Sequence, residues 1–105
     1  MSFQVIWSEH SENQLSIIFE YYSQNTNVRV AKKLIRALIT EPKRLKYITE
    51  IGQREDLLLN RENEYRYLIY KNYKIIYSVD FNLKLIKVAD VFDTRQNPEG
   101  IKRTK

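Results

Sequence analysis

Apolar positions along the chain follow two rhythms. Residues 3–7, FQVIW, form a short apolar run that reads as a strand. Leu15, Ile18, Phe19 and Tyr22 then recur at helical spacing behind Ser8, a residue suited to cap a helix N-terminus, and Asn25 and Asn27 mark the end of that helix. A second helical pattern runs through Val30, Ala31, Leu34, Ile35, Leu38 and Ile39, with Arg29, Lys32, Lys33 and Arg36 on its other face. It should close near Thr40, because the residue before Pro42 avoids the helical region. So short a connection predicts an antiparallel helical hairpin.

After a polar, basic stretch over 43–54, with Gly52 read as a turn, the period changes. EDLLL (55–59), EYRYLIY (64–70), YKIIYSV (73–79) and KLIKVADVF (84–92) are strand-like, and their separators are short and turn-rich. Strands linked this closely are expected to form an antiparallel meander. The fold class is therefore α+β, in the order β-α-α-β-β-β-β: an N-terminal strand and a two-helix hairpin packed on a small antiparallel sheet. Residues 1–105 read as a single domain with a short basic C-terminal tail. The helices should cover one face of the sheet. Apart from residues 93–105 too little chain remains to cover the other, and that open face is where function is expected.

Composition changes the picture in two respects. The chain has no cysteine, which removes disulfides, thiolate metal sites and thiol nucleophiles. The N-terminal MSFQVIWSEHSENQ lacks the basic and apolar regions of a secretory signal, and no apolar run approaches a membrane span, so a soluble cytoplasmic protein without membrane contact is expected. The net charge of +5 is uneven: residues 1–65 balance, whereas residues 66–105 hold nine basic and four acidic side chains. An anionic partner should meet the C-terminal half, unless the excess serves only solubility.

Little catalytic chemistry survives this inventory. His10, the only histidine, falls in the first turn of the first helix and reads as an ordinary surface residue without a second histidine to share a metal. Two glycines cannot make a phosphate-binding loop. The carboxylate pairs Glu55–Asp56 and Glu62–Glu64 lie in or beside predicted turns and read as solvated charge. No metal site and no cofactor are expected. What remains is a set of cations on the later strands. With the tight Lys71–Asn72 connection, Arg66 and Lys74 are expected on one face of neighbouring strands, joined by Arg95 at the end of the last strand. Guanidinium groups fit phosphate or carboxylate in a fork. Equally, Arg66 has Glu64 or Glu62 for a partner, and Arg95 has Asp93 or Asp90.

The order of elements, together with VIWSEHSENQLSIIFEYY, YITEIGQRED, EYRYLIYKNYKIIYSV and VADVFDTRQNP, resembles the RelE/ParE superfamily over residues 3–98. These are toxin halves of bacterial type II toxin–antitoxin pairs, also called plasmid stabilisation proteins. The resemblance implies a cognate antitoxin partner, in a heterotetramer or larger complex. It also offers two targets. RelE-type members cut messenger RNA on the ribosome, and by strand position Arg66, Lys74 and Arg95 match members of their catalytic set. However, Leu68 occupies the place of a second catalytic lysine and no tyrosine follows Arg95. ParE-type members inhibit DNA gyrase by binding it, and the closing VFDTRQNP is similar to the end of their last strand, which favours this reading. On it, Arg66, Tyr70, Lys74, Arg95 and Gln96 form the partner-binding surface. A plain nucleic-acid-binding module, or a non-toxic relative, is the remaining alternative.

Overall fold

The computed structural model describes residues 2–46, 52–59 and 61–104; the expectations for 47–51, including part of the YITEIGQRED segment, lie outside the described residues. Strand β1 (Gln4–Trp7) leads into α1 (Glu9–Asn25) and α2 (Val28–Thr40), followed by a 3-10 segment (Glu41–Lys46). Strands β2 (Gln53–Arg54), β3 (Arg66–Tyr70), β4 (Tyr73–Asp80) and β5 (Leu85–Asp93) follow, with short 3-10 segments at Asp56–Leu58 and Pro98–Arg103. Both helices start where a polar side chain can accept an otherwise unpaired backbone N–H. Ser8 accepts from Ser11 N at 3.0 Å, and Asn27 accepts from Val30 N at 2.9 Å. α2 ends at Thr40, but the expected reason does not act: Glu41 keeps helical torsions before Pro42 (φ −52°, ψ −48°), and the chain tightens into 3-10 geometry rather than leaving the helix axis at once. No helix among the described residues is long and apolar enough to cross a membrane.

The strands form one sheet in the order β1-β5-β4-β3-β2. The α+β class and the element order agree with the sequence, but the sheet is mixed. β2 to β5 pair antiparallel, whereas β1 lies parallel to β5, from Gln4 beside Leu85 to Trp7 beside Val88. The helical hairpin and the meander bring the chain back to the first strand running in the same direction, which an antiparallel-only sheet would not allow. EDLLL is not a strand. Glu55 caps a 3-10 turn at Asp56–Leu58, and the pairing segment lies just before it, at Gln53–Arg54.

A β-bulge decides which residues face which side. Ile76 pairs with Asp90 and Tyr77 with Val88, so Ala89 is an extra residue on β5. Ile86, Val88 and Val91 therefore share the helix-side core with Leu15, Leu38 and Ile75, while Ala89 and Phe92 fall on the far side. That far side is not open. Leu58 and Ile101, from two 3-10 segments, close over Ile76, Ala89 and Phe92 as a second small core. Arg61 ties these segments together, donating to the carbonyls of Lys102 and Thr104. The expected uncovered face is thus largely buried beneath the chain's own tail.

Candidate functional site

The hairpin between β3 and β4 determines where the nominated cations go. Tyr70 pairs with Tyr73 across a two-residue turn, in which Lys71 takes a left-handed φ of 53°. Even-numbered residues of β3 therefore share a face with odd-numbered residues of β4. Arg66 lies opposite Tyr77, on the helix side, and Lys74 lies opposite Ile69, on the far side. The two do not share a face, contrary to expectation.

Each is also engaged. Arg66 donates through Nε to Glu64 Oε2 at 3.0 Å and through Nη1 to the Gly52 carbonyl at 2.9 Å. The cations of Arg54 and Arg66 flank the Glu64 carboxylate and hold its pKa below the ordinary value, with Arg54 the stronger influence. Lys74 Nζ donates to Glu55 Oε1 at 2.7 Å and lies 4.3 Å from the centre of the Tyr67 ring. Glu55 is only 4% exposed, so the reading of the Glu55–Asp56 pair as solvated charge fails for its first member. A buried carboxylate needs a cation, and Lys74 supplies it.

Arg95 occupies a different place. Tyr70, Tyr73 and Asp93 form a row across three adjacent strands, and the chain turns immediately beyond Asp93. Thr94 donates to the Asn72 carbonyl through its backbone N at 2.8 Å and its hydroxyl at 2.9 Å, fastening the end of β5 to the hairpin tip. Arg95 then folds back on Asp93: Nη2 lies 2.8 Å from Oδ2, Nε 3.0 Å from Oδ1, and its backbone N donates to Oδ1 at 2.9 Å. These bonds pull the Asp93 pKa down to about 2. Beside it, burial and the nearby Tyr22 hydroxyl push the Tyr73 phenol up.

This end of the sheet borders a cleft of about 310 Å3 against α1, lined by Gln14, Tyr21, Tyr73, Arg95, Gln96 and Arg103 among others. Arg95 and Gln96 are exposed and Tyr70 is half-buried. Of the five nominated partner-binding residues, the structure brings Tyr70, Arg95 and Gln96 to one end of the sheet. Arg66 lies at the other end of β3 and Lys74 on the opposite face. Cation and carboxylate in the cleft are already matched, so it offers aromatic and hydrogen-bonding surface with an exposed guanidinium edge rather than an uncompensated positive pocket.

The Asp93–Arg95 pair predicts a pH response. Asp93 titrates near 3.8 when unperturbed and near 2 in the fold, so the pair stabilises the protein above about pH 4 and loses that contribution as pH falls to 2. Arg95 is 61% exposed and water screens the pair, which keeps its contribution small. Urea melts should show a small deficit for Arg95→Ala at neutral pH that closes near pH 2. A deficit persisting undiminished at pH 2 would assign it to packing instead.

Sequence reasoning missed one polar centre. Asp90, fully buried on β5, accepts from Thr104 Oγ1 at 2.9 Å and from Arg103 Nε at 3.2 Å. His10 Nε2 is 3.3 Å from Asp90 Oδ1, and its side chain is only 19% exposed, so His10 is not an ordinary surface residue. The available signal was an aspartate inside an otherwise apolar strand run. Among the described residues no cluster of His, Cys, Asp and Glu could hold a metal ion.

No curated protein matches the sequence. A solved structure described as the chromosomal ParDE TA system from P. aeruginosa superposes with a TM-score of 0.70 at 15% identity, covering 87% of this chain and 95% of that one, which speaks for a shared fold. The model of the family described as the ParE toxin of the type II toxin–antitoxin system parDE matches residues 5–98, from β1 through the Arg95 turn. The chain therefore belongs to the ParE toxin family.

Proposed function

We propose that this chain is the toxin of a type II pair, that it arrests growth by binding DNA gyrase, and that a cognate antitoxin neutralises it. The contact surface in this proposal is the end of the sheet carrying Tyr70, Arg95 and Gln96. The observation that favours a binding toxin over a nuclease is the dispersal of the cations. Cleavage of RNA without histidine requires cations converging on one pentavalent phosphate. Arg66 and Lys74 lie on opposite faces, each held by a carboxylate.

Induction of the chain alone in bacteria is expected to stop growth with relaxed or cleaved DNA, and co-expression of the antitoxin to restore growth. Arg95→Ala should reduce toxicity while lowering Tm only slightly, because water already screens the pair it breaks. Ribosome-bound messages cut within minutes, with normal DNA supercoiling, would instead establish the RelE-like endoribonuclease.

A further inference from the structure

The outward face of α2 carries a feature that neither the cleft nor the sheet end uses. At about 3.6 residues per turn, Arg29, Lys32, Lys33 and Arg36 line one side of the helix. The opposite side buries Ala31, Leu34 and Leu38 against the core. All four cations are exposed. Eight other cations, among them Arg54, Lys74 and Arg103, each have a carboxylate within salt-bridge distance. Among the described residues, none of these four does.

The arrangement is unfavourable for the isolated helix. Like charges three and four residues apart repel. Arg29 also sits in the first turn, which holds no acidic residue and where the helix dipole disfavours a cation. A bound polyanion would relieve both.

We propose that this face is a docking surface for the phosphate backbone of double-stranded DNA, a proposal independent of the gyrase reading. The surface formed by the four cations includes one apolar side chain, Val28, and no aromatic one; the helical repeat puts Val30 and Ile39 on its flanks. An acidic amphipathic helix or a lipid surface would need several apolar anchors within it, and single-stranded bases would need an aromatic platform. Arg29 to Arg36 spans about 10 Å of helix, comparable with four phosphates separated by steps of ~3.4 Å along the axis of one strand. An exposed helix face also suits the roughly 12 Å major groove of B-form DNA, whereas the major groove of A-form RNA is deep and narrow.

The test is fluorescence anisotropy of the full chain with a mixed-sequence DNA duplex across a salt series. Four phosphate contacts predict a slope of log K against log salt of about −3.6, a loss of roughly 100-fold between 50 and 200 mM salt. The quadruple variant R29Q/K32Q/K33Q/R36Q should flatten that slope almost completely. A control removing equal charge elsewhere, K71Q/K84Q/K87Q/K102Q, should keep it. Should the quadruple variant melt early, Arg36→Gln alone should reduce the slope by about 0.9. An unchanged slope in the α2 variants, an equal loss in the control, or tighter binding to double-stranded RNA, poly-glutamate or phosphatidylserine vesicles through these residues would overturn the proposal.

Discussion

Asp90→Ala is expected to be among the most destabilising single substitutions in this protein, at about 3–5 kcal/mol, the usual cost of breaking a buried ion pair from one side. Asp90 has no exposed surface and holds both Arg103 and Thr104. Its loss would leave the Thr104 hydroxyl without that acceptor. Arg103 would retain the Gln14 side chain at 3.1 Å, a long contact to the Val91 carbonyl and its position 5.2 Å over the Phe92 ring. Because Ile101 seals the second core and precedes these residues directly, the tail should detach and expose Phe92 and Ile76. Thermal melts should fall by roughly 12–40 °C at ~4–8 °C per kcal/mol. Hydrogen exchange should show the amides of residues 98–104 losing protection first. A double-mutant cycle with Arg103→Ala should reveal coupling of about 0.5–3 kcal/mol. A loss of less than 1 kcal/mol for Asp90→Ala would mean that apolar contact and the Arg61 bonds to the tail carbonyls hold the segment without it.

Gly52→Ala is expected to cost about 3 kcal/mol, at the upper end for overpacking by one methyl group. Gly52 is not needed for an unusual backbone torsion, since no glycine here has a positive φ. It is needed for space: an added Cβ would lie 2.5 Å from the Tyr77 hydroxyl and 2.7 Å from the Tyr67 carbonyl oxygen. The tyrosine is fully buried and its hydroxyl accepts from Gly52 N at 3.0 Å, while the carbonyl belongs to β3, so neither neighbour can retreat cheaply. The shift would also disturb the Arg66 bond to the Gly52 carbonyl. Urea denaturation should show a lower midpoint with an unchanged m-value. In a Tyr77→Phe background the added methyl group should cost less, because the shortest of three close approaches is gone, although those at 2.7 Å to the ring carbon Cε1 and to the Tyr67 carbonyl oxygen remain. Strict additivity of the two substitutions would refute this steric account.

Both substitutions act at contacts that residue order did not disclose. Gly52 looked like a turn residue, and the 98–104 segment looked like a basic tail. Each takes its importance from a residue far away in sequence, Tyr77 for the first and Asp90 for the second.

Local rules were sufficient for the helices. Ser8 and Asn27 cap them, and the spacing of Leu15, Ile18, Leu34 and Leu38 selects the buried side. The pairings of Arg66 with Glu64 and Arg95 with Asp93, weighed as alternatives from sequence, are the ones observed. The separation of Arg66 from Lys74 was also implicit in the sequence. A two-residue turn pairs Tyr70 with Tyr73, and strand alternation then places the two cations on opposite faces. Charge totals by chain half, by contrast, concealed the α2 stripe, because carboxylates elsewhere in residues 1–65 cancel it numerically, although among the described residues none lies within salt-bridge distance of it.

Helix boundaries, and strand parity within the β3–β4 hairpin, thus follow from residue order, since each is governed by neighbours a few positions apart, whereas the 3-10 turn formed by EDLLL does not. The parallel docking of β1 on β5, the bulge at Ala89 that turns Asp90 and Phe92 away from Ile86 and Val88, and the closure of the far face by Leu58 and Ile101 do not. They depend on contacts between segments distant in the chain, where burial of apolar surface and satisfaction of a buried carboxylate outweigh local preference.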